Sequence, residues 1–323
     1  MKHNKSFTTF IITLLFFVSF QSSAGLNDAT WYVSIDVDQI ENNEIFKALD
    51  KKANKSSDDF HVRLENMPKE ISYISLYGNA KGSEDATAVI HGDFSQFSIN
   101  DHIINFLYTQ DDVSKLIKES TITYKNHEIQ VLEVDDYEGQ PDDRPKEAYF
   151  ANVSNQITVI SFQLDEVKNW LNHDYDSHDI VSGSLFSVEV DVQSALAHMG
   201  VNMNDNNHMM QSEIFQKVTQ ASASISEVNS EMVAEAALTT DDEATAIQIE
   251  QVINGLVAMS NLSGANAENE LHATIMQNLK IQRTGNNILI STYASVEDFK
   301  KMALQKDTNS NDDGYKIELK AEL

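Results

Sequence analysis

The stretch "VSIDVDQ", Val33 to Gln39, returns 155 residues later as "VEVDVQS", Val188 to Ser194. Both alternate apolar and polar residues, which is the period of a strand with one buried face. Both place an Asp, Asp36 and Asp191, at the same step. Whether this match is isolated or one of a series decides how the chain is divided.

Three further pairs follow in the same order along the chain. "EIFKAL" at Glu44 matches "EIFQKV" at Glu213, each opening a short amphipathic helix. "DHIINFL" at Asp101 matches "EQVINGL" at Glu250, again with helical spacing. "NQITVISF" at Asn155 matches "NNILISTY" at Asn286; each starts at a turn and runs out as an apolar strand. A helix follows each of these, "LDEVKNWL" and "VEDFKKMA". Four collinear matches predict an internal duplication. The boundaries that follow are a signal segment at 1–24, a first unit at 25–175, a linker at 176–183, a second unit at 184–305, and a closing turn and strand at 306–323.

Within each unit a strand leads into a helix, then two strands, a helix, a hairpin and a last helix. Hairpin-joined strands with interspersed helices predict an α+β fold. The expectation is two related units, each an antiparallel sheet covered on one face by helices. In the second unit Thr240 to Glu243 has the pattern of a capping box, and Ile249, Val252, Ile253 and Leu256 form one apolar stripe behind it. The C-terminal "YKIELKAEL", Tyr315 to Leu323, alternates strictly and reads as a strand that docks on one of the sheets.

The N-terminus carries an address. Lys2, His3 and Lys5 precede the apolar run Phe10 to Phe20, which ends at Ser22-Ser23-Ala24. This is the layout of a secretory signal peptide, cleaved after Ala24. The run is about half the ~20 residues of a spanning helix, so no membrane span is expected after cleavage. The expected compartment is the periplasm or the exterior. There is no Cys, so disulfides, thiolate metal sites and cysteine nucleophiles are excluded. The formal net charge of -27 repels nucleic acid and anionic lipid.

The candidate ligand set is in "AHMGVNMNDNNHMM", Ala197 to Met210. His198, Met199, Met203, His208, Met209 and Met210 are soft ligands of the kind that suits Cu(I) or Ag(I). The competing reading is Met as filler at helix edges. The offset between halves rises from 155 at the first strand to 169 at the "EIF" helix, which marks 14 extra residues here as a loop insertion. His173, Asp174, Asp176, His178 and Asp179 read as a solvated linker rather than a Zn²⁺ or Ca²⁺ site. "DTNSNDDGYKIE" sets Asp307, Asn309, Asn311 and Glu318 at calcium-loop spacing, but Asp312 stands where the loop needs Gly. Starting at Asn309 instead places Gly314 well and puts Lys320 in the closing acidic position. A polar turn is the better reading, and no cofactor is expected beyond these Cu and Ca alternatives.

No nucleophile elbow, zincin helix, P-loop or Rossmann glycine pattern occurs in the chain. The sequence therefore supports an exported, soluble, non-catalytic protein, a binding, interaction or envelope-maintenance factor whose partner is a protein or small ligand of the envelope. The alternatives are a copper or silver binder and a hydrolase with an unrecognised carboxylate site.

Overall fold

The computed structural model describes residues 26–47, 68–79, 85–108, 117–134, 146–175, 182–198, 215–263 and 270–305. Strand β1 (Trp31–Asp36) runs into helix α1 (Val37–Asn42). Strands β2 (Ile71–Gly78) and β3 (Thr87–Gly92) lead to α2 (Ile99–Tyr108). Two hairpins follow, β4 (Ile117–Tyr124) with β5 (His127–Val134) and β6 (Glu147–Ser154) with β7 (Ile157–Ser161), and α3 (Leu164–Leu171) closes the first half. The second half begins with β8 (Phe186–Asp191) and α4 (Val192–His198). It continues with β9 (Val218–Val228), β10 (Glu231–Thr240), α5 (Glu243–Ser263) and α6 (Glu270–Gln277). Then β11 (Lys280–Thr284), β12 (Asn287–Ser295) and α7 (Val296–Gln305) complete it.

The expectation of two sheets is corrected here. All of these strands form one twelve-stranded antiparallel sheet in the order β11-β12-β10-β9-β8-β1-β2-β3-β7-β6-β5-β4. The physical reason lies in the stretch that opened the sequence reading. β1 and β8, the first strands of the two halves, pair with each other, and Val33 faces Val188. An open sheet edge exposes unpaired N–H and C=O groups, and each half closes the other's. The seam is bracketed by Asp36 N–H donating to Leu185 O at 3.0 Å and Asp191 N–H donating to Thr30 O at 2.6 Å. No cleft separates two sheets.

Outward from this seam the strand order is alike on both sides, β1-β2-β3-β7-β6 and β8-β9-β10-β12-β11. The first half then adds the hairpin β4–β5 beyond β6. Its turn, Lys125-Asn126, has φ of 45° and 68°, and the β9–β10 turn, Asn229-Ser230, has 53° and 64°. Two successive positive φ values define the tight turn whose twist matches that of paired strands.

The helices do not cover both halves alike. In the first half, Ile74, Leu76, Ala88, Ile90 and Ile160 pack with Val37, Ile40, Ile99 and Ile103 of α1 and α2. On the opposite face Tyr77, Val89, Ile129, Ala151 and Val159 pack with Val167, Trp170 and Leu171 of α3. Strands covered on both faces lose the polar alternation of a one-sided sheet, and β2 and β3 are buried along most of their length. The second half carries its helices on the first of these faces only. Val192, Ala246 and Ile249 pack on Leu238, Ile281, Ile288 and Ile290. Val296 and Phe299 of α7 join the cluster of α1 and α2. Thus α3 and α7, which follow matching hairpins, lie on opposite faces. Phe162 and Gln163 separate β7 from α3, whereas α7 starts directly after Ser295.

The connections also differ from the sequence reading. Asp36 and Ile71 are separated by 34 residues, Asp191 and Val218 by 26. The second half is the shorter one at this point, and its "EIF" stretch ends in a single turn, Phe215–Lys217, that enters β9 directly. The 14 extra residues ahead of the second "EIF" are thus outweighed by a longer stretch between "EIF" and β2 in the first half. The cap of α5 is Asp242, whose Oδ1 accepts the Thr245 N–H at 2.7 Å, and not Thr240. Of the expected stripe Ile249 is fully buried, while Val252 and Leu256 are 38% and 59% exposed. The alternating segment 315–323 lies outside the described residues.

Ile90 is wholly buried and Ile225 is 42% exposed, which separates core from surface apolar residues. Ile90→Ala is expected to cost about 2–5 kcal/mol in denaturant unfolding, by lost burial and a cavity. Ile225→Ala, on the open part of the sheet, is expected to cost about 1 kcal/mol or less.

Candidate functional site

The repeated Asp residues have structural work at the strand–helix junctions. Asp36 Oδ1 accepts the Gln39 N–H at 2.8 Å, and Asp191 Oδ1 accepts the Ser194 N–H at 2.9 Å. Each satisfies an orphan donor of the first helical turn. Asp38 on α1 is held above the usual carboxylate range by burial first and by the Asp36 charge second.

Two arrangements remain after these caps are accounted for. The first is an open apolar trough on the helix-bearing face of the second half. Phe186 faces Ile225, and Ile225 faces Ala234. Val188 faces Ala223, and Ala223 faces Ala236. Directly opposed residues share a face, so these six form one floor across β8, β9 and β10. Met232, Val296 and Phe299 close over the sheet at one end of the floor, and Val218, Ala246 and Ile249 at the other. Between them Phe186 is 37% exposed and Ile225 42% exposed. The strands beneath are paired on both sides, so the floor offers side chains and no free backbone. On α5, Leu256 and Met259 are also exposed, by 59% and 67%.

The second arrangement is a buried carboxylate. Glu166 sits on the inner side of α3 and is 3% exposed. Its Oε1 accepts the Tyr77 hydroxyl and the Leu26 backbone N–H, the latter at 3.1 Å. Its Oε2 accepts the Tyr175 hydroxyl at 3.0 Å and Asn169 Nδ2–H at 3.3 Å. Trp170 Nε1–H in turn donates to Tyr77 Oη at 2.7 Å. Burial pushes the Glu166 carboxyl above its ordinary value, while the donors from Tyr77, Tyr175, Asn169 and Leu26 oppose the shift. Burial, and next the Glu166 charge, hold the Tyr77 hydroxyl well above its ordinary range. Sequence reading missed this cluster. Its members lie on β2, on α3, in the first described turn at Leu26–Asp28 and at Tyr175, the last residue of the expected first unit, and only the fold unites them.

The residues selected from sequence fall elsewhere. His198 is the last residue of α4. Met199, Met203, His208, Met209 and Met210 lie outside the described residues, as do Asp176, His178, Asp179 and the 307–318 loop. His173 has φ 59° and ends α3, with its N–H donating to Trp170 O at 3.1 Å. Among the described residues no group of three or more His, Asp or Glu is arranged to hold a metal ion. Among them, too, no helix is long and apolar enough to cross a membrane.

No known protein family matches the chain, and no curated protein matches it in sequence. Among solved structures, crystal form IV of TP0453 aligns with a TM-score of 0.43 at 10% identity, over 87% of this chain and 96% of that one. Crystal form I of TP0453 gives 0.42 at 10% over 88% and 98%. Crystal form III gives 0.42 at 9% over 88% and 99%.

The carboxylate cluster generates a direct test. Tyr77→Phe deprives Glu166 of a donor and Trp170 Nε1–H of its acceptor in a dry site. Chemical denaturation should show a loss of about 1–3 kcal/mol, the cost of stranded buried polar groups. Tyr175→Phe, at a half-buried hydroxyl, should cost less.

Proposed function

We propose that the chain is an exported, non-catalytic binding protein whose apolar trough receives the apolar face of a basic amphipathic segment from a partner in the envelope. The export reading rests on the basic start, the apolar run Phe10 to Phe20 and the small residues ending at Ala24. The duplication reading rests on the four collinear sequence matches, together with the like strand order on either side of the seam.

One observation carries the binding reading: large apolar side chains, Phe186 and Ile225, stand open on strands that are themselves paired on both sides. Apolar residues left contiguous and uncovered mark interaction surfaces. The charge of -27 makes a basic partner the favoured one. Depth argues against hydrolysis. Two acids are buried among the described residues: Asp85, whose Oδ1 accepts Gln163 Nε2–H at 2.6 Å, and Glu166, which is enclosed by Leu26, Tyr77 and Tyr175 and faces no second carboxylate among its described partners.

The probe is a synthetic helical peptide with Leu on one face and Lys on the other, against a scrambled peptide of the same composition. Fluorescence anisotropy should show saturable binding of the amphipathic peptide only. Phe186→Asp with Ile225→Asp should weaken it about tenfold or more, with the circular dichroism spectrum unchanged. Equal binding of both peptides, or of the native and doubly substituted proteins, would sink the reading.

A further inference from the structure

We propose that the Glu166 cluster is a docking site for the α-ammonium group that signal cleavage creates at Gly25. The inference rests on the export reading above. Its structural ground is that Glu166 is a buried acid, and its partners among the described residues are all neutral: two phenols, one carboxamide and one backbone amide. A carboxylate taken out of water without a cation is costly, and its acid form is favoured instead. The charged side chains one position before it and two after it, Asp165 and Lys168, pair with each other at 2.9 Å on the solvent side of α3.

The missing cation has one natural source. The Leu26 N–H points at Oε1 from 3.1 Å and at Tyr175 Oη from 3.3 Å, and Leu26 is itself 7% exposed. Tyr32 Oη donates to Leu26 O at 2.9 Å, which fixes the turn Leu26–Asp28 against β1. Gly25 is one peptide unit further back, so its nitrogen stands within about 4 Å of the Leu26 nitrogen by covalent geometry alone. Before cleavage that nitrogen is a neutral amide. Cleavage after Ala24 hydrolyses the Ala24–Gly25 peptide bond; water supplies a carboxylate to Ala24 and a protonated amine to Gly25. The new ammonium is formed one residue before the Leu26 N–H that Glu166 accepts, whereas Asp85, the other buried acid of this half, accepts Gln163 Nε2–H at 2.6 Å. Cleavage thereby completes the cluster, and the precursor folds without that ion pair.

The consequences have opposite signs in the two forms. Without the ammonium, Glu166 binds its proton more tightly in the folded chain than in the unfolded one. That stability is present below its ordinary value of 4.5 and is lost as pH rises through the folded value. With the ammonium in place the carboxylate is held ionised, and this loss disappears.

The experiment uses the protein purified after export, with its N-terminal residue read by mass spectrometry. The α-amine is labelled by reductive ¹³C-methylation and titrated by NMR. A chain starting at Gly25 should show an amine pKa about one unit or more above the free value of about 8. Two residues added ahead of Gly25 should return it to that value and lower the melting temperature at pH 7 by about 3 °C or more. Glu166→Gln should abolish both differences. An amine at Gly25 that titrates at the free value, with a melting temperature indifferent to the added residues, overturns the proposal and leaves the export reading intact. A purified protein that keeps its first 24 residues overturns both.

Discussion

The backbone pairing of β1 with β8 is the constraint on which the rest of the structure depends. Each half, taken alone, would end at its own first strand with a row of open donors and acceptors. Joined there, the halves make one sheet of twelve strands, and the two copies of the repeated stretch lie opposite each other at Val33 and Val188. The same junction sets the helices: Asp36 and Asp191 end their strands at opposite ends of the seam and cap the helices that follow. Ser34 and Ser187 contribute a hydroxyl pair at 2.5 Å across it.

From the seam outward the halves diverge in how much they bury. Three layers enclose the first half, and its central strands carry Ala88, Val89 and Ile90 with no exposure. Burial of such side chains contributes roughly 1.5–3 kcal/mol each for the larger ones. In the second half, the described helices all lie on one face. The opposite face shows Ser222, Ser224, Ser226 and Ser291, small polar side chains that tolerate water. The asymmetry leaves the helix-bearing face of the second half with fewer helices than its apolar floor requires, and Phe186 and Ile225 remain open.

Much of the local structure was legible in the sequence. The strand stretches at 33, 155, 188 and 286 alternate or run apolar in the way their pairing requires, and helices lie at the 101 and 250 matches and after the 155 and 286 matches, whereas the "EIFQKV" stretch ends in a single turn and enters a strand instead of opening a helix. Sheet number was not legible, because pairing between β1 and β8 is a backbone interaction that leaves no mark on side-chain pattern. Hairpin β4–β5 was missed because its turn is Lys125-Asn126 rather than an Asn-Gly or Asp-Gly pair. The stripe through Val252 and Leu256 has helical spacing, yet Ile249 and Ile253 pack against the cluster while Val252 and Leu256 are exposed, and periodicity alone does not tell where a helix stops touching its neighbour. The Glu166 cluster draws on residues 26, 77, 166 and 175. In so acidic a chain no single Glu stands out by composition. The Met/His segment drew attention by composition; His198 ends α4, and the rest of the segment lies outside the described residues.

Hydrogen exchange at the seam tests the continuous sheet most directly. A strand at a sheet edge protects only alternate amides, whereas one paired on both sides protects every one. The account predicts that the amides of 31–35 and 186–190 exchange without alternation, as slowly as those of β2 and β3. The edge strands β4 and β11 should exchange far faster. Alternating fast and slow amides along β1 and β8, at the rates seen in β4 and β11, would contradict it and restore two separate sheets.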